Sequence, residues 1–157
     1  MSRELDAIEQ DIALLARQVG AQGPEIPTVG FSTHTGLPCV LEEGGAFVWL
    51  TMDSGREVSR ETLTSRDEVL YRALQTMVYS VSMRYAVANA VPGVQQWAVS
   101  FKRRLELVRP VNHGWYVRTC REIAGKIEAN TARGGLNSYV RGVLEECRSA
   151  IALEEEG

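Results

Sequence analysis

The stretch from Asp53 to Tyr85 most narrows what this chain can fold into, because it runs from a turn through a short strand into a capped helix. Asp53-Ser54-Gly55 has the composition of a hairpin turn, and residues 56–63 alternate charged or polar side chains with Val58 and Leu63, as a half-exposed return strand does. Ser65 and Glu68 then fit a capping box: the hydroxyl accepts from an orphan backbone N–H and the carboxylate reaches back to the cap. Asp67 adds negative charge where the helix dipole favours it. Leu70, Leu74, Met77, Val81 and Tyr85 recur every three to four residues, and Tyr71 and Val78 widen the stripe so that the helix packs on two sides. The tyrosines at 71, 79 and 85 are expected in the core with hydroxyls at its rim. The helix should run until Val91-Pro92-Gly93, since the residue before a proline resists the helical region and glycine tolerates the turn.

The flanking sequence supplies the partners. Leu5, Ile8, Ile12, Leu15 and Val19 lie at helical spacing over residues 2–19, with Gly20 as a stop. After a glycine and proline loop, residues 28–32, 38–42 and 46–52 read as strands separated by Thr35-Gly36 and Gly44-Gly45. With the return strand they make a small antiparallel sheet of three to four strands. Beyond the central helix, Trp97, Ala98, Phe101, Leu105 and Val108 mark a helix over residues 94–108. Trp115, Tyr116, Thr119, Ile123 and Ile127 mark another over 113–129, and Leu136, Tyr139, Val140, Val143, Leu144, Cys147 and Ile151 a last one over 136–153. Residues 131–135 are the loop between these two. The expected class is α+β: an N-terminal helix and a small sheet packed on a C-terminal helical bundle, in one domain over residues 1–157.

At 157 residues such a chain buries roughly two thirds of its unfolded surface without a staple or metal. Residues 1–64 hold ten acids and four bases, and residues 65–128 hold five acids and ten bases, so charge is split along the chain. Cys39, Cys120 and Cys147 are widely spaced, form no CxxC pair, and have only His34 and His113 to help them. This argues against a zinc site and against a secreted disulfide scaffold, and makes a reducing cytoplasm the natural compartment. The first twenty residues alternate acids with apolar side chains, so neither a signal peptide nor a membrane span is expected, and the mature chain should start at or near Met1.

No catalytic constellation emerges. Cys120 and His113 are the nearest nucleophile and base, but seven residues of helix put them roughly 10 Å apart. Ser32-Thr33-His34-Thr35 reads as a turn satisfying its own backbone. With no GxGxxG or GxxxxGK sequence, a nucleotide cofactor is not implied. Lys102, Arg103, Arg104, Arg109, Arg118 and Arg121, with Trp97 or Tyr116 for stacking, suggest a nucleic-acid surface. A helix that buries Phe101 and Leu105 must, however, put charge on its outer face, and a solvated face is the expectation. Glu42, Glu43, Asp53, Glu57 and Glu61 lie on or beside strands whose open face would suit a basic protein. Arg56, set in the same turn, is expected to brace a neighbouring carboxylate.

Read in order, Ile26-Pro27-Thr28, Phe47-Val48-Trp49, Gly55-Arg56-Glu57, Asp67-Glu68-Val69-Leu70-Tyr71, Phe101, Leu105-Glu106-Leu107 and Trp115 resemble the polymorphic-toxin immunity proteins of immunity protein family sixty-three. The resemblance covers roughly residues 5–128, and the last helix is an addition beyond it. It implies a bacterial antidote that binds a cognate toxin domain without catalysis, expected to act by occlusion, and the residues themselves suggest no cofactor, metal, nucleic acid or membrane as partner. The expected contact residues are Glu42, Glu43, Asp53, Arg56 and Glu57 as a charged rim, with Trp97 and Arg104 on the helical part. A small enzyme with a Cys/His site is the rival reading and a nucleic-acid-binding regulator the third. The residues specify neither the toxin nor an oligomeric state.

Overall fold

Helix α1 (Arg3–Val19) forms where the spacing predicts, and Leu5, Ile8, Ile12, Leu15 and Val19 are all buried. Ser2 caps it, its hydroxyl accepting from the Leu5 N–H at 3.1 Å, and Gly20 ends it in the left-handed region. In the computed structural model, which describes residues 1–131 and 136–157, the chain divides into two compact units, Met1–Val81 and Ser82–Gly157.

The first unit holds α1 and four strands, β1 (Thr28–Val29), β2 (Thr35–Glu43), β3 (Ala46–Asp53) and β4 (Arg56–Leu63), ordered β1-β2-β3-β4 in one sheet. The sheet is mixed, where the sequence suggested an antiparallel one: β1 pairs parallel with β2, Thr28 beside Cys39 and Val29 beside Val40. The chain reverses twice to do this, using positive φ at Gly30 (88°) and His34 (56°), and the Gly30 N–H donates to the Val40 carbonyl at 2.8 Å. Thr35-Gly36 does not separate two strands. It lies inside β2, where the register against β3 slips between Thr35 and Pro38; Gly36, at φ 85°, supplies the left-handed residue that such a bulge uses.

Both other turns follow their sequences. Gly44-Gly45 and Ser54-Gly55 are two-residue hairpin loops with positive φ at both positions, the geometry that matches strand twist. Alternation sends Cys39, Leu41, Val48, Leu50 and Met52 to one face, where they cluster, and Val40 and Trp49 to the other, where both are also buried.

Helix α2 (Arg66–Ala88) starts as expected, the Glu68 N–H donating to the Ser65 hydroxyl at 3.1 Å. It stops three residues short of Val91, where the Asn89 side-chain amide takes the Tyr85 carbonyl at 2.9 Å. Val69, Tyr71, Leu74, Met77 and Val78 are buried, but Tyr79 and Tyr85 are exposed, so only Tyr71 fits the core expectation.

The second unit contains α3 (Gln96–Val108), α4 (His113–Thr131) and α5 (Ser138–Glu156), which pack on one another. Phe101, Leu105 and Val108 of α3, Cys120, Ile123 and Ile127 of α4, and Val140, Val143, Leu144 and Cys147 of α5 are buried. Asn137 caps α5, accepting from the Val140 N–H at 2.8 Å. The α+β class is as expected, with an N-terminal helix, a four-stranded sheet and a helical C-terminal part. Of the expected loop at residues 131–135, residue 131 belongs to α4 and the rest lies outside the described residues.

Candidate functional site

The expected rim residues sit on β2, β3 and β4 and at their hairpins, and arginines decide what each can do. Arg60, which sequence reasoning passed over, reaches Glu43 and Glu57, each at 2.8 Å. The register explains the meeting: Val58 is the extra residue where Thr51 pairs with Ser59 and Met52 with Glu57, so Glu57 and Arg60 return to the same face. On the opposite face Arg72 of α2 binds Glu61 at 2.6 Å and Glu68 at 3.3 Å. The Arg60 pairs lie in solvent and Arg72–Glu68 is partly buried, and surface pairs of this kind add little stability. Their structural effect is to fix where the side chains of β4 lie.

Arg60 is therefore the brace that was expected of Arg56. Arg56 pairs in register with Asp53 across the hairpin, but its side chain holds no ion pair or hydrogen bond among the described residues. Asp53 accepts from the Ser54 hydroxyl at 3.1 Å. Glu42 is half-buried on the Val40 and Trp49 face, where its carboxylate accepts from the Ser2 hydroxyl. The five rim residues thus form no single constellation: Glu43 and Glu57 share Arg60, Asp53 and Arg56 mark the hairpin tip, and Glu42 belongs to the α1 cap.

In the second unit, Trp97 is half-buried and meets Phe101 edge to face, with ring centroids 5.5 Å apart. Arg104, expected on the outer face of α3, is instead 4% exposed, with its guanidinium 5.5 Å from the Phe101 ring centre. Its position, three residues after Phe101 and four before Val108, lies within the buried stripe; counting spacings without regard to charge would have found it. Four of the other basic residues are engaged within the unit. Lys102 lies over Tyr139 and Arg103 over Tyr85, Arg109 lies over Tyr116, and Arg121 reaches Glu155 at 3.4 Å.

The Cys/His pair is not assembled. His113 is exposed and faces Glu154 at 3.3 Å. Cys120 is buried and hydrogen-bonded to Cys147 and to the Tyr116 hydroxyl. The hydrogen bond with Cys120, followed by burial, pushes the Cys147 thiol far up, while the hydrogen bond from Cys147 draws Cys120 below its ordinary value. Burial likewise raises Tyr116 and Cys39. Cys147, Tyr116 and Cys39 are thus packed side chains whose surroundings disfavour the charged form. Among the described residues no group of three or more His, Cys, Asp or Glu is placed to hold a metal ion, and no helix is long and apolar enough to cross a membrane.

A cleft of about 450 Å³ lies between α1 and the loop before β1, lined by Ile12, Ala16, Ile26, Pro27, Val29 and Phe31 among others. Its walls are mainly apolar, with Glu9, Arg17 and Thr28 as the polar side chains along them.

The family model for Immunity protein 63 matches residues 43–125, more than half of the chain, from the end of β2 into α4. The match leaves out α1 and β1 as well as α5, and so is narrower than the sequence resemblance on the N-terminal side. No curated protein and no solved structure matches.

Proposed function

The chain belongs to the Immunity protein 63 family, and from that premise we propose that it protects a bacterial cell by binding a cognate toxin domain and covering its active cleft or substrate path, with no chemistry of its own. The family match over residues 43–125 carries this reading. The side-chain inventory supports it, because the cysteine–histidine pair that the sequence offered is not brought together. Cys39, Cys120 and Cys147 are shielded from solvent, and His113 pairs with a carboxylate rather than a thiol.

In this reading the toxin is the effector of a polymorphic system used in bacterial competition, and the antidote meets it in the cytoplasm. Glu42, Glu43, Asp53, Arg56 and Glu57 supply a charged rim and Trp97 an aromatic anchor, since rim charges steer encounter and aromatic residues hold it. Arg104, withdrawn into the helices, supports Phe101 instead of facing a partner.

Co-expression with the toxin domain encoded beside this chain tests the proposal. Growth should be rescued, and a stoichiometric complex should be recovered. Single alanine variants of Cys39, Cys120, Cys147 and His113 should keep protecting wherever they fold. Loss of protection by a folded variant that still binds toxin would show that chemistry is required.

A further inference from the structure

We propose that the outer edge of β4 is the place where the toxin adds a strand, an extended cationic segment pairing its backbone with residues 59–63. This rests on the immunity reading and names the surface and the mode of contact. The sheet order leaves β4 at an edge, and among the described residues no strand pairs with its outer side. Every residue of β4 except Leu63 is exposed, as on a strand with a neighbour on one side only. Such an edge presents a row of N–H and C=O groups that an extended peptide can satisfy.

Sheet edges are ordinarily guarded by charged side chains and bulges. The bulge of β4 is confined to Val58, and residues 59–63 run in unbroken register against β3, from Ser59 opposite Thr51 to Leu63 opposite Phe47. The charges that would guard this length are tied across the faces of the sheet. Arg60 is drawn to Glu43 on one side and Glu61 to Arg72 on the other. The backbone between them is left as the accessible feature of the strand.

Charge selects the occupant. The unit Met1–Val81 has twelve acids and six arginines. Arg60, Arg66 and Arg72 are already bound to carboxylates. A surplus of this sign attracts a cationic segment and disfavours an acidic one. It equally disfavours a second copy of the same edge.

Hydrogen exchange on the full chain, alone and with the toxin domain encoded beside it, tests the assignment. In the complex, backbone amides within residues 59–63 should exchange at least about tenfold more slowly. Ser59→Lys and Thr62→Lys together place a guarding cation on each face of the strand and should weaken binding by about tenfold or more. Ser149→Lys on the exposed side of α5 should leave binding unchanged. A complex with unaltered exchange at residues 59–63 overturns the edge assignment and leaves the immunity reading standing. Absence of any complex overturns that reading, and this inference with it. Protection that appears in the toxin-free protein and rises with its concentration assigns the edge to a second copy and overturns the toxin assignment.

Discussion

Strands β3 and β4 are paired along their length except at the Val58 bulge, yet they live in different environments. Val48, Trp49 and Leu50 are between 4% and 7% exposed, while their partners Thr62, Glu61 and Arg60 all face solvent. Pairing supplies the same kind of backbone hydrogen bonds to both strands, so it does not explain the contrast. Position does: β3 has a neighbour on each side and side chains buried on both faces, whereas β4 has one neighbour and closes nothing. The stability of this unit should therefore be concentrated in β3, leaving β4 available for contact.

The largest test of that contrast is truncation at matched positions. Leu50→Ala should cost about 2–5 kcal/mol and Trp49→Ala about 3–5 kcal/mol, read by denaturant unfolding. Val58→Ala, at 65% exposure, should stay within about 0.5 kcal/mol. Equal effects on both strands would mean that accessibility does not report where the energy lies.

A smaller effect is expected at the turn that joins them. Gly55 has φ 80°, and a Cβ built there meets nothing within 4 Å, so Gly55→Ala should cost only the backbone penalty of about 1–2 kcal/mol. A loss well beyond that range would show that the hairpin tip carries contacts of its own, and would blur the division between a stabilising strand and an available one.

Smallest of all should be the loss of the brace. Arg60→Ala removes two solvent-exposed ion pairs, so stability should hardly change, and less still at high salt. Thermal melts at low and high ionic strength measure it. The same change frees Glu43 and Glu57, so toxin association should become faster and more salt-dependent even though stability hardly moves. Unchanged association at both salt concentrations would place the toxin away from this rim.

Local features were legible in the sequence because local residues cause them. The stripe of α1, the Ser65 cap of α2 and the two-residue turns at Gly44-Gly45 and Ser54-Gly55 each depend on side chains within a few positions, and each formed as read. The parallel pairing of β1, the continuation of β2 through Thr35-Gly36 and the exposure of Tyr79 and Tyr85 were not legible, since each depends on what residues distant in sequence leave uncovered.

The candidate surface divides in the same way. The sequence by itself determined the α+β class, the acid surplus of the N-terminal part and the family resemblance, all of which follow from residue type, order and local spacing. Tertiary structure alone decided that Arg60 rather than Arg56 holds the carboxylates, that Arg104 is buried beside Phe101, and that β4 lies at the edge. Residue type fixes what a side chain can bond to. Which partner comes within reach is set by strand register and helix packing, and those are fixed by contacts between residues far apart along the chain.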